Sequence, residues 1–255
     1  MEAVSKVRAN IQTFKRIEKK FILMPGVYEK LMDLISENIK TDAFGISDIR
    51  SLYLDTPTSL IVRRSQMKPV VYKEKVRIRS YGAPKDHHAS VFLELKKKFK
   101  GIVYKRRLRM PLSEAEAFAE SRLWPASVED NVQNTNAQIL REIGFTLDRY
   151  IPEGGLHPSM LISSQRQSFV GKEDSGLRLT FDQDVLWRQD ALSLMEPLGG
   201  TPLLDAGAHL LEVKAAGTMP VWLANALSIS DAKATSFSKY GNAYLASLAS
   251  YEKSA

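Results

Sequence analysis

Val70-Val71-Tyr72-Lys73-Glu74-Lys75-Val76-Arg77-Ile78-Arg79-Ser80-Tyr81 is the stretch on which the fold turns. Its β-branched and aromatic content predicts a strand. Alternate residues of a strand face the same side. Lys73, Lys75, Arg77 and Arg79 therefore share one face, and Val76 and Ile78 the other. Ser90 to Phe99 repeats the pattern, with Glu94 and Lys96 against Val91, Leu93 and Leu95. In Ile102 to Met110, Lys105, Arg107 and Arg109 are co-facial. Arg16, Glu18 and Lys20 align near the N-terminus. Further on, Arg178, Thr180 and Asp182 oppose Leu177, Leu179 and Phe181, and Glu212 and Lys214 oppose Leu211 and Val213. Arg166 stands mid-strand.

A half-solvated strand is also polar on one side. These faces differ in being dominated by Arg, whose planar fork fits phosphate. Like charges directly opposite one another destabilise a sheet pair. A chain that accumulates them calls for an anionic ligand.

The other segments predict helices between hairpins. Pro25 starts one that runs through Val27 to Ile39, and a short piece covers Ser59 to Met67. Ser113 to Arg122 reads as a helix with Ser113 and Glu116 as a capping box. Val128 to Ile143 reads as another, ended by Gly144. Strands are expected at Phe14 to Leu23, Ile46 to Asp55, Ser159 to Val170, Gly176 to Trp187 and His209 to Ala216. Pro220 to Leu227 and Tyr240 to Tyr251 close the chain as helices. The expectation is one α+β domain over residues 1–255: an eight-stranded antiparallel barrel with helices outside and charge inside.

Composition narrows the chemistry. The chain has 255 residues, a formal net charge of +7 and no cysteine. Disulfides, thiolate metal sites and cysteine nucleophiles are excluded. Four histidines leave little material for a Ser-His-Asp triad, and no HExxH or Walker A motif occurs. The charged N-terminus lacks a signal-peptide core, and no run is apolar enough to span a bilayer, so a cytoplasmic location is expected. The basic surplus alone would suggest nucleic acid. The parity pattern argues against that partner, because it encloses the charge.

Nine segments occur in a telling order. They are Arg16-Ile-Glu18-Lys-Lys20, Ser51-Leu-Tyr53-Leu-Asp55, Lys75-Val-Arg77-Ile-Arg79-Ser-Tyr81-Gly82, Val91-Phe-Leu-Glu94-Leu-Lys96 and Lys105-Arg-Arg107. Arg166, Arg178-Leu-Thr-Phe-Asp182, Leu211-Glu212-Val-Lys214 and Phe237-Ser238-Lys239-Tyr240 follow. The series resembles the vacuolar transporter chaperone (VTC) type polyphosphate polymerase domain, of the triphosphate tunnel metalloenzyme or CYTH-like superfamily. The resemblance covers about Thr13 to Tyr244.

It implies transfer of the γ-phosphate of ATP to a growing inorganic polyphosphate chain. Lys20, Arg77, Arg79, Lys96, Arg166, Arg178 and Lys239 match the catalytic phosphate-holding positions. Arg16, Lys75, Lys105, Arg107, Lys214 and Ser238 are further expected contacts to ATP or polyphosphate. Glu212, with Glu18 as a second candidate, matches the site for Mn²⁺ or Mg²⁺. Tripolyphosphate, pyrophosphate or orthophosphate would fit the same groove. A membrane partner is compatible with this reading. Hydrolases and cyclases of the superfamily begin Glu-x-Glu-x-Lys, whereas this chain has Arg16-x-Glu18-x-Lys20, which weakens the triphosphatase alternative. A polyphosphate-binding module without catalysis is the alternative of another class.

Overall fold

A computed structural model describes residues 16–69, 71–100 and 102–254. The expected strand at Phe14 begins outside that range. The strands are β1 (Arg16–Leu23), β2 (Ile39–Asp55), β3 (Tyr72–Tyr81), β4 (Ser90–Phe99), β5 (Ile102–Pro111), β6 (His157–Gly171), β7 (Arg178–Arg188), β8 (Thr201–Pro202), β9 (His209–Ala216) and β10 (Lys233–Thr235). The helices are α1 (Pro25–Ile35), α2 (Leu60–Gln66), α3 (Leu112–Ser121), α4 (Thr135–Asp148), α5 (Val221–Ile229) and α6 (Lys239–Ser254).

All ten strands join one sheet in the order β10-β1-β9-β7-β6-β2-β3-β4-β5, with β8 attached to β7. Every pairing is antiparallel. The expected closed barrel is corrected here: β5 and β10 are edges with no ladder between them. Closing it would require β5 to pair with β10, the opposite edge. The three-residue β10 offers little to pair with. The sheet nonetheless curls. Six strand spacings separate β1 from β4, roughly 29 Å in a flat sheet. Yet Lys96 Nζ on β4 lies 3.8 Å from Glu18 Oε2 on β1. Register shifts in β2 and β6, where bulges add twist, accompany the curl. The result is a trough whose seam is bridged by side chains.

Apolar faces of the strands point outward, as parity required. Val76, Ile78, Leu93, Leu95 and Leu108 pack under α3 and α4. Leu177, Leu179, Phe181, Leu211 and Val213 pack under α1 and α5. A third cluster fills one end of the inner face: Tyr53, Met160, Ile162 and Trp187 meet Val62 of α2 and Tyr240 of α6. No helix of the described residues is long and apolar enough to cross a membrane.

Several boundaries differ from the sequence reading. α1 ends at Ile35, and Ile39, expected to close that helix, already opens β2, which starts ahead of the expected Ile46. α3 starts one residue early with Pro111 before it, so Ser113 lies inside the helix and is no cap. α4 starts at Thr135, where the Asn134 side chain accepts from the Asn136 amide. Gly144 lies within α4, pressed against Phe118, rather than ending it.

Asp55 is an anchor rather than a simple turn former. Its carboxylate accepts from the amides of Thr56, Ile61 and Val62 and from the Tyr240 hydroxyl. One buried side chain thus fixes the start of α2 and the seat of α6. Asp55→Ala takes the carboxylate from the three amides and leaves the Tyr240 hydroxyl only Ser159. We expect a loss of about 3 kcal/mol, read as a lower urea midpoint at unchanged m-value.

Candidate active site

Register sets the inner face of β3, β4 and β5 in cross-strand rows. Lys75, Lys96 and Lys105 form one row; Arg77, Glu94 and Arg107 the next; Arg79, Phe92 and Arg109 the third. Glu94 is buried and carries three cations. Arg77 Nη2 lies 2.6 Å from its Oε2, and Lys105 Nζ and Arg107 Nε lie 3.0 and 3.1 Å from its Oε1. Burial would raise the Glu94 carboxyl, but Arg77, Arg79 and Lys105 outweigh it and hold the pKa at about 2. Glu94 is therefore an ion-pair hub and no general base.

In the lysine row Lys105 reaches Glu94 and Lys96 reaches Glu18, while Lys75 has no carboxylate within salt-bridge distance. Lys75 Nζ donates to Ser238 Oγ at 2.8 Å, where Phe237-Ser238 leads into α6. Burial, with Lys20, Arg77 and Lys96 nearby, pushes Lys75 down to about 8. Lys20 donates to the Phe237 carbonyl at 3.0 Å.

On the opposite wall, Arg166 makes two 2.7 Å bonds to Asp182, and Lys239 lies 2.8 Å from the same carboxylate. Lys239 also donates to Ser164 Oγ. Burial lowers Lys239 to about 8 despite Asp182. Arg79, buried beside Arg77, falls to about 10 and donates to Ser51 Oγ at 2.9 Å.

Glu212 faces Lys20 and Lys214, at 3.9 and 3.0 Å. A hydrogen bond joins it to Glu18 across the β1–β9 pair. That bond, burial and the Glu212 charge raise Glu18. Burial works against Glu212, but the Glu18 bond and the two lysines depress it. The two carboxylates are thus pushed in opposite directions, Glu18 up and Glu212 down.

Lys20, Lys75, Arg77, Arg79, Lys96, Lys105, Arg107, Arg166, Lys214, Lys239, Ser238, Glu18 and Glu212 all meet in the trough. Arg178 is more peripheral: it is half-exposed and bonded to Asp42 at 3.0 Å. Arg16 lies on β1 opposite Ala216. Asp86, His87 and His88 sit in a surface loop, away from these rows.

Tyr53 went unassigned in the sequence reading. Its hydroxyl accepts from Arg77 Nη1 at 3.0 Å, and its ring stacks on Tyr240 with centroids 4.4 Å apart. Burial raises this phenol, but Arg77, Lys75 and Arg79 together pull it to about 7. Ser51 and Tyr53 share a face of β2, so parity could have found both.

The low pKa values have a signed consequence. Lys75 and Lys239 near 8, and Tyr53 near 7, all lie below their unfolded values. Between pH 7 and 10 the unfolded chain then binds more protons than the folded one, so ligand-free stability rises with pH. Anion binding goes the other way, because the lysines discharge. We expect the ligand-free Tm to climb from pH 7 to 9.5 while the Tm gain from tripolyphosphate shrinks. Thermal scans across that range showing parallel curves would refute the assignment.

The comparisons with known proteins bear on this geometry. The VTC domain family matches residues 15–248. The chain belongs to the VTC domain family. One solved structure is similar in fold, and others align more weakly. A candidate adenylate cyclase from Bacillus halodurans aligns at TM-score 0.52 and 15% identity, covering 88% of this chain and 93% of that one. A candidate adenylate cyclase from Vibrio parahaemolyticus aligns at TM-score 0.47 and 10% identity, covering 91% and 98%. A Hippeastrum adenylyl cyclase candidate with a dominant triphosphatase activity aligns at 0.46 and 16%, covering 88% and 93%. No curated protein matches. The VTC match spans every row of the trough, from β1 to α6.

Proposed function

We propose that this VTC domain is an ATP-dependent polyphosphate polymerase, moving the γ-phosphate of ATP onto the end of a polyphosphate chain in the trough. The observation that carries the reading is the length of the cationic lane. Lys73, Lys75, Arg77 and Arg79 run along one face of β3, a span of roughly 20 Å. Lys98, Lys96 and Lys105 flank it by register. That is longer than one triphosphate, and it suits a donor and a polymeric acceptor laid end to end.

Phosphoryl transfer is mostly positioning and charge stabilisation. The attacking terminal phosphate is already ionised at neutral pH, so no strong base is required. Glu94 and Asp182 are consumed by cations, which accords with this. Arg77, Arg79, Lys75, Lys96, Lys105 and Arg107 hold phosphates from one wall, and Lys20, Lys214, Arg166 and Lys239 from the other. Arg178 guides them at the rim. Fixed charges of this kind need no reorganisation as the reaction proceeds. Ser238 orients Lys75, and Tyr53 holds Arg77 against Glu94.

The family implies a divalent cation, and the donor set fits one. Among the described residues no three His, Cys, Asp or Glu side chains converge. Glu18 and Glu212 lie diagonally opposite across the β1–β9 pair and would supply two carboxylate ligands. Mg²⁺ and Mn²⁺ sites of two carboxylates completed by substrate phosphates are common. Bound there, the ion would neutralise charge developing on the leaving diphosphate.

Incubation with ATP and Mn²⁺ tests the proposal. Chains of increasing length on a gel are the expected product. Orthophosphate alone would assign a triphosphatase, and binding without turnover a polyphosphate-binding module; either outcome overturns the polymerase.

A further inference from the structure

The far end of the β3–β4–β5 hairpins departs from the rest of the outer surface. Helix α4 and the turn after it cover the outer face only to a line of polar clasps. There Arg149 and Tyr150 hold Glu74, and Arg106 Nε meets Glu142 at 2.5 Å. Beyond that line the strands run on without a helix above them. Tyr72, Phe99 and Ile102 are register neighbours on the same outer face, and Tyr104 lies one row back, opposite Lys97. Phe99, Ile102 and Tyr104 are 44, 58 and 46% exposed. Other exposed apolar residues, such as Val221 and Val132, lie apart from this cluster on other elements.

Charge surrounds this apolar end and has one sign. Residues 96–109 carry eight Lys and Arg and no Asp or Glu; Lys96, Lys98, Lys105, Arg107 and Arg109 face the trough, while Lys97 shares the outer face with the apolar row and Lys100 sits at the turn beside it. Residues 63–73 carry Arg63, Arg64, Lys68 and Lys73 and again no acid. The nearest acid, Glu74, is buried in its clasp. The tip is held in shape: the Lys100 amide donates to the Val71 carbonyl at 3.2 Å, and Lys100 Nζ lies 5.4 Å from the Phe99 ring centroid.

We propose that this hairpin tip docks on an anionic phospholipid surface. The combination selects the occupant. A polyanion such as RNA takes the lysines but has no use for exposed Phe99 and Ile102. An apolar groove on a second copy of this chain takes the row but meets the lysine collar with no acidic complement. An anionic bilayer interface takes both: rings and aliphatics enter the headgroup boundary, and lysines remain among the phosphates. An exposed apolar patch within a polar rim is the usual mark of such contact. The proposal stands apart from the reaction, since neither Phe99 nor Ile102 is assigned to the trough.

Vesicle flotation of the full chain tests it, with phosphatidylcholine alone and with added phosphatidylserine. The chain should float with the anionic vesicles and stay behind with the neutral ones. Phe99→Asp with Ile102→Asp should weaken that partition about tenfold or more, with unchanged circular dichroism. Val221→Asp, equally exposed elsewhere, should float as wild type. Lys97→Glu with Lys100→Glu should remove the preference for anionic lipid. Flotation unaffected by the aspartate pair, and displaced by tripolyphosphate, would place the lipid contact in the trough and overturn the proposal. So would absence of flotation, or self-association in sedimentation that the aspartate pair abolishes.

Discussion

Arg77→Ala abolishes turnover while leaving a folded, soluble chain: that is the largest effect expected of a single substitution here. Arg77 bridges Glu94 and Tyr53 and stands mid-lane between Lys75 and Arg79. Its loss removes charge stabilisation that the other cations cannot replace from their own positions. Loss of one preorganised donor typically costs about 10²–10³ in rate, and Arg77 supplies a planar fork where a lysine supplies a point charge. The fold survives because Glu94 keeps Lys105 and Arg107. Tyr53 also changes, since Arg77 leads the charges that lower it. Its phenol should titrate well above 7 in the variant, visible as a shifted phenolate absorbance. Steady-state rates within a few-fold of wild type would remove Arg77 from the site.

Glu212→Gln should separate metal dependence from polyanion binding. The amide keeps the shape, but one negative charge is lost between Lys20 and Lys214. The Mn²⁺ concentration for half-maximal rate should rise about tenfold or more. Tripolyphosphate affinity without metal should hold or improve, because the trough becomes more positive. The Mn²⁺-induced rise in Tm should fade in parallel, a readout independent of turnover. An unchanged Mn²⁺ response in both assays would show that the cation sits elsewhere.

Most of the trough was legible in the primary structure because strand parity is strict. Val76 and Ile78 went to the core and Arg77 and Arg79 to the inner face, as alternation demands. The same argument placed Glu212 and Lys214 on one side of β9. Closure was not legible, because it depends on edge pairing between segments far apart in the chain. Alternation says which way a side chain points and nothing about whether the last strand meets the first. β8 and β10, with two and three residues, are too short to leave a periodic signal. Ser113 was misread because a capping box tests spacing alone, while Pro111 already suited the position before the helix. The hub role of Glu94 follows from register, which brings Arg77 and Arg107 beside it from two strands.

The unlaced seam between β1 and β4 alters how a polymer relates to its enzyme. A sealed tube admits a long chain only by threading, and every subunit that enters must leave along the axis. Here the wall is fastened by side chains alone, chiefly Lys96 reaching Glu18 at 3.8 Å. A passing phosphate competes for that lysine, so the occupant itself loosens the fastening. For the proposed polymerase, a strand could then be captured or shed sideways at mid-length. Product length would be governed by how often the clasp opens relative to each addition, and a covalent staple across the seam would convert a distributive synthesis into a processive one.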